Sequence, residues 1–208
     1  MRRLFASFRF SFLFLSVLAV SAQADSPPVH VRGAIQSVAG GSFTLAPSGG
    51  TAVPVTWNAQ TKFTSLETAQ IADITPGLFV GTAAIPQPDG TLKALEVHIF
   101  PEAMRGTGEG YRPFPQVAQG TMTNATITNI AGTEGAVTDN GLTLTLKYKE
   151  GQQTVTVPKG TPVVLLGQGD ASMLKPQAKV SVTGTKDAGG AVTATRILVG
   201  LDGATPPI

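Results

Sequence analysis

Residues 55–100 can be laid on residues 155–200 without a gap, and this offset of one hundred constrains the fold more than any other feature of the chain. The identical pairs are Val55/Val155, Thr56/Thr156, Thr61/Thr161, Leu66/Leu166, Pro76/Pro176, Val80/Val180, Gly90/Gly190 and Ala94/Ala194. Eight identities are few, but they fall at two strand-like beginnings, a proline ahead of an apolar run, a turn glycine and a final alternating segment. What repeats is an order of elements, so the chain reads as two similar units.

Each unit is extended, with a period of two. In the first, strands are expected near 31–38, 42–47, 52–57, 78–85 and 92–100, separated by Ala39-Gly40-Gly41, Ser48-Gly49-Gly50 and Pro88-Asp89-Gly90. Val53, Val55 and Trp57 share one face, and Leu95, Val97 and Ile99 alternate with Ala94, Glu96 and His98. The second unit places strands near 120–130, 137–147, 153–157, 178–185 and 191–199, with Leu142, Leu144 and Leu146 as its cleanest alternation. Gly33 finds its nearest counterpart at Gly120, which implies a longer opening in the second unit, around Asn124, Asn129, Gly132 and Gly135. Ser65–Ala72 and Asp170–Leu174 read as short helical connectors. The fold class is all-β: two tandem small five-stranded, partly open barrels resembling the oligonucleotide/oligosaccharide-binding fold, each with a short helical connector. Composition agrees, since 24 Gly and 15 Pro oppose a helix bundle while 42% apolar residues oppose disorder.

Residues 1–24 read as a signal peptide: Arg2, Arg3 and Arg9 precede an apolar run, and Ala22-Gln23-Ala24 supplies small residues at the cut. The chain is therefore expected in the periplasm or secreted, with no membrane span after cleavage. Loss of three arginines changes the formal charge from +2 to −1. The absence of cysteine excludes disulfides, thiolate nucleophiles and cysteine-held metal centres. The first barrel is assigned to 30–100, a Gly/Pro-rich junction to 101–119, the second barrel to 120–200 and a C-terminal tail to 201–208. The junction admits three roles: a plain linker, a spacer fixed between packed units, or a ligand-facing loop.

Val31-Arg32-Gly33-Ala34-Ile35, Asp73-Ile74-Thr75-Pro76-Gly77, Asp89-Gly90-Thr91-Leu92-Lys93-Ala94 and Val97-His98-Ile99-Phe100-Pro101-Glu102 resemble an uncharacterised family of exported bacterial proteins, a domain of unknown function numbered 5666. Residues 155–199 resemble it more loosely, with Gln177 where the family has glycine after the proline. The resemblance implies export and small β domains and supplies no chemistry.

His30 and His98 are the only histidines. Glu96 and His98 stand at i and i+2 on one strand, hence on one face, and form a fragment of a metal site that His30 completes if the first and fifth strands pair. The alternatives are a polar barrel face and a hydrogen bond between the units. No catalytic constellation emerges: there is no Gly-x-Ser-x-Gly elbow, and Gly106-Thr107-Gly108-Glu109-Gly110 lacks the lysine of a phosphate loop. No cofactor is implied, and a near-neutral chain with few exposed rings argues against nucleic acid. The leading expectation is a non-enzymatic binding or assembly protein of the bacterial envelope, with an envelope protein or glycan as partner. Its contact surface is expected at Glu96, His98, Glu102, Arg105, Tyr111, Arg112 and Phe114. A small-ligand or metal-binding protein and a purely structural spacer are the alternatives.

Overall fold

Strand-forming residues recur with the same order in both halves of the computed structural model, which describes residues 27–131 and 141–207. The first copy supplies β1 (Val29–Ala39), β2 (Ser42–Pro47), β3 (Val53–Thr56), β4 (Lys62–Ala69), β5 (Phe79–Pro86) and β6 (Leu92–Ile99). The junction supplies β7 (Gly110–Pro113). The second copy supplies β8 (Thr121–Ala131), β9 (Leu142–Tyr148), β10 (Gly151–Val157), β11 (Val163–Gln168), β12 (Lys179–Lys186) and β13 (Val192–Gly200). The expected signal segment, Gly132 and Gly135 lie outside the described residues.

The chain is all-β and forms five-stranded barrels, but neither barrel is built from one copy. Hydrogen bonds close one ring through β1, β2, β3, β13 and β12, and another through β8, β9, β10, β6 and β5. Each barrel therefore takes three strands from one half and the last two from the other. The contiguous barrels expected at 30–100 and 120–200 are corrected accordingly. Here the first barrel is the one containing β1, and the second is the one containing β8.

Register shows the exchange to be symmetrical. Val55 pairs with Val192 in one ring and Val155 with Leu92 in the other, in both cases by parallel closure. Between the rings, β4 and β11 pair antiparallel with Leu66 opposite Leu166, so an approximate two-fold passes through that pair. The same registers correct one counterpart. Gly33 faces Val180 as Ala125 faces Val80, so the partner of Gly33 is Ala125 rather than Gly120.

Two further expectations give way. Each helical connector shrinks to a single 3-10 turn, Ile71–Asp73 or Ala171–Met173, and Lys62–Ala69 is strand. Leu66 and Ala69 favour helix by themselves, but pairing with β11 on one side and β13 on the other overrides that weak preference. In β6 the strict alternation is broken by a bulge, because Ala84 pairs with Ala94 while Ala83 pairs with Glu96. Leu95 is the extra residue, and the phase flips across it, so Leu92, Ala94, Val97 and Ile99 all face the core. The equivalent bulge in β13 falls at Thr195.

The rings enclose separate apolar interiors. Ile35, Phe43, Leu45, Val55, Val182 and Ile197 fill the first, with Trp57 packed against them; Val80, Val97, Leu144, Leu146 and Val155 belong to the second. A third cluster, with Leu66, Phe79, Phe100 and Leu166, lies between the barrels. The tail joins it through buried Ala204 and a bond from Leu201 N–H to the Leu66 carbonyl.

The divergent turn residue has a measurable cost. Gly77 and Gln177 both donate a backbone N–H to the β-strand of the neighbouring half, to the carbonyls of Ile127 and Ile35, and both have positive φ, 88° and 72°. For glutamine that conformation costs about 1–2 kcal/mol, of which the greater unfolded-state freedom of glycine cancels about 0.5–1 kcal/mol. Gln177→Gly should therefore raise stability by about 0.5–1 kcal/mol, read by urea unfolding. Unchanged or lowered stability would contradict this account of the turn.

Candidate functional site in the cleft between the barrels

Strand register sets the floor of the site. Val29 and Val31 point into the first barrel, so His30 and Arg32 point outward from β1. Across the sheet His30 stands opposite Thr183, Thr183 opposite Arg196, and Arg196 beside Lys62. The neighbouring row runs Arg32, Ser181, Leu198, Thr64. Four strands from both copies thus place three permanent cations on one outer face.

The opposite wall comes from the junction, which is docked. Glu102 to Met104 makes a 3-10 turn, and β7 pairs with β8 on the edge opposite β5. Arg105 forms a forked contact with Glu102, 2.6 Å from Nε to Oε1 and 2.7 Å from Nη2 to Oε2. It also donates to the Gly77 carbonyl at 3.0 Å and to Thr126 Oγ1 at 3.2 Å. The arginine holds the Glu102 carboxyl below its ordinary value, chiefly by hydrogen bonding. Asn124 donates to the Thr107 carbonyl at 2.9 Å, and Arg112 donates to the Gly108 carbonyl at 2.7 Å. Gln116 meets His30 Nε2 at 3.3 Å, while His30 Nδ1 meets Thr183 Oγ1 at 3.1 Å. Through His30 the strap after β7 is tied to the first barrel.

Between these walls is a cleft of about 800 Å3. Arg32, Lys62, Arg112 and Arg196 line it, with apolar surface from Phe100, Met104, Phe114, Met122 and Leu198, and among the described residues no aspartate or glutamate lines it. Burial pushes the Arg112 guanidinium below its ordinary value, and the positive charge of Arg196 pushes in the same direction.

The sequence-predicted residues divide into four groups, the last of them Glu96 alone. His30, His98, Arg112 and Phe114 reach the cleft; Glu102 and Arg105 are engaged in fastening the junction; Tyr111 is 42% exposed on β7. Glu96 is a correction. It is fully buried, so it forms no wet surface. Its carboxylate lies 3.2 Å from His98 Nε2, and neither oxygen has a hydrogen-bond partner among the described residues. The i, i+2 geometry holds, but His30 does not complete it, because β1 pairs with β2 and β12 instead of β6. Among the described residues no three His, Cys, Asp or Glu side chains converge as a metal site requires.

Arg32, Lys62 and Arg196 went unrecognised in the sequence. The signal for two of them was present: Arg32 is two residues from His30, and Arg196 occupies the position of Glu96 in the other copy. Their convergence depends on strands from different halves.

A family model described as Domain of unknown function (DUF5666) matches residues 32–98 and 126–197, which together make up most of the chain. The chain belongs to this family. The two matched segments follow the sequence copies, β1–β6 and β8–β13, so a DUF5666 copy here is a unit of sequence whose strands are shared between two barrels. No curated protein and no solved structure matches the chain. Among the described residues no helix is long and apolar enough to cross a membrane.

Proposed function

We infer that the protein is an exported, non-enzymatic binding protein of the bacterial envelope, and that it takes a small ligand in the cleft between its barrels. The observation that supports this reading is the cleft itself: a concave space of ligand size, with apolar walls and a few converging polar groups. The ligand-binding alternative fits the geometry better than an exposed docking surface does, because Glu96 is buried and Glu102 and Arg105 are spent on fastening the junction. The strand order, with parallel closure of the third strand of one copy against the last strand of the other, supports a barrel of oligonucleotide/oligosaccharide-binding type.

The test is a fragment screen by amide NMR on the purified protein. Hits should shift Thr64, Gln116, Gly167 and Ser181, which line the cleft. A ligand present at one hundred times its Kd should also stabilise the fold by about 2.7 kcal/mol. Hits that map only to other surfaces, or a screen without hits, would overturn the reading.

A further inference from the structure

The cleft has a charge problem that its own residues leave unsolved. Arg32, Lys62, Arg112 and Arg196 bring four positive charges to one concavity, and among the described residues no carboxylate lines it. Among the described residues the side-chain cations of Arg32, Lys62 and Arg196 have neither a hydrogen bond nor an ion pair. Arg112 has one carbonyl partner, Gly108, and feels Arg196 as a like charge. Like charges held together on a partly desolvated surface raise the free energy of the empty state, and a bound anion reverses that sign.

The other half of the molecule shows that this face is not simply what the fold dictates. By the two-fold, the positions of Arg32, Ser181 and Arg196 on the first barrel correspond to Asn124, Gly81 and Glu96 on the second. There the face is small or buried: Asn124 is 6% exposed and Glu96 0%, with Phe100 packed over Gly81. The duplicated face is covered in one barrel, and in the other it is open and cationic.

Resting on the ligand-binding reading above, we propose that the cleft binds a phosphate monoester carrying an apolar body, with the phosphate held among Arg32, Arg196, Arg112 and Lys62 and the apolar part against Phe114, Met104 and Phe100. Guanidinium forks match the oxygens of a phosphate in pairs, which a lone ammonium does not, and three of the four cations are arginines. A phosphate monoester carries about −1.5 to −2 charges at pH 7, enough to offset much of the clustered charge. The ester can reach the cleft as a free solute or as the headgroup of a lipid.

Calorimetric titration with phenyl phosphate tests this, with inorganic phosphate and neutral benzyl alcohol as comparisons. Phenyl phosphate should bind more tightly than either, and more weakly as salt is raised. Arg32→Gln and Arg196→Gln should each weaken it about tenfold, whereas Lys186→Gln, at the exposed far end of β12, should not. Among the described residues neither arginine side chain makes a hydrogen bond or ion pair, and each substitution removes one of the clustered like charges, so both variants should unfold at the wild-type temperature or slightly above it; Lys62→Gln gives a second reading if one unfolds below it. Flotation with phosphatidic acid–phosphatidylcholine vesicles separates the sources: co-flotation abolished by Arg196→Gln points to the headgroup, and its absence alongside phenyl phosphate binding points to a free ester. Binding of benzyl alcohol equal to that of phenyl phosphate, or arginine variants that bind as wild type, would overturn the anionic assignment while leaving a ligand site in place. Binding of none of the three, together with a fragment screen that yields no hits in the cleft, would overturn both.

Discussion

Ending the chain at Ala178, so that β12 and β13 are lost, will unfold the barrel that holds Trp57 and spare the barrel formed largely by the second copy. Trp57 is the only tryptophan and packs on Phe43 with ring centroids 6.0 Å apart, against a core to which Val180, Val182, Ile197 and Val199 contribute. Without the last two strands, β1 loses its β12 partner and β3 loses its closure onto β13. The valines and isoleucine that leave with them are buried members of that core. Trp57 emission should move to the wavelength of a solvated indole, while amide protection at Leu144, Leu146 and Val97 persists. Ile197→Ala should act in the same direction, costing about 3 kcal/mol, because Ile197 is fully buried in that core. Leu144→Ala, in the other barrel, should leave Trp57 emission unchanged at low denaturant. If the shortened chain keeps the Trp57 emission of the full chain and loses protection at Leu144 instead, the barrels are contiguous and the exchange described above is wrong.

The second large effect is expected at Gly33. A Cβ placed there would sit 2.0 Å from the Ala46 carbonyl oxygen and 2.6 Å from its carbon, so backbone would have to move. Gly33 lies in β1 between Pro47 and Val180, where both neighbouring strands are already bonded, and it cannot shift without breaking one ladder. Gly33→Ala should cost about 3 kcal/mol and lower Tm by about 10 °C. Gly40→Ala, in the adjoining turn with nothing within 4 Å, serves as the control and should change Tm little. Ala125 is the counterpart of Gly33 and is fully buried, so the close approach belongs to the first barrel alone. Equal Tm values for the two glycine variants would refute the contact.

The exchange also explains where the cleft comes from. Its floor needs β1 and β4 of the first copy alongside β12 and β13 of the second, and its strap is the chain between the copies. Contiguous barrels would have left Arg32 and Arg196 on different bodies. In the structure they lie on the same outer face, one strand apart.

Much of this was legible in local pattern. Val53, Val55 and Trp57 lie on one face, Leu142, Leu144 and Leu146 line a core, and Glu96 and His98 point the same way because their spacing crosses no bulge. Leu95 misled because a bulge has no clear signature in a string of apolar residues, and its effect is to reverse every side chain beyond it. Ser65–Ala72 misled because helix propensity is weak against two flanking strands, which make Lys62–Ala69 a strand.

The sequence by itself determined five of the six strands in each copy, their order, most of the turns between them and the repeat that makes the halves interchangeable; β4, β11 and β7 appeared only in the structure. Only the tertiary structure decided which half each strand serves. The physical reason is degeneracy: Val55 and Val155, or Val80 and Val180, present the same shape and the same backbone donors, so closing a barrel within a copy or across copies forms equivalent ladders. Local chemistry cannot break that tie. The central pair of β4 with β11, and the junction pinned by Arg105 to Gly77 and Thr126, accompany the crossed arrangement and hold it together.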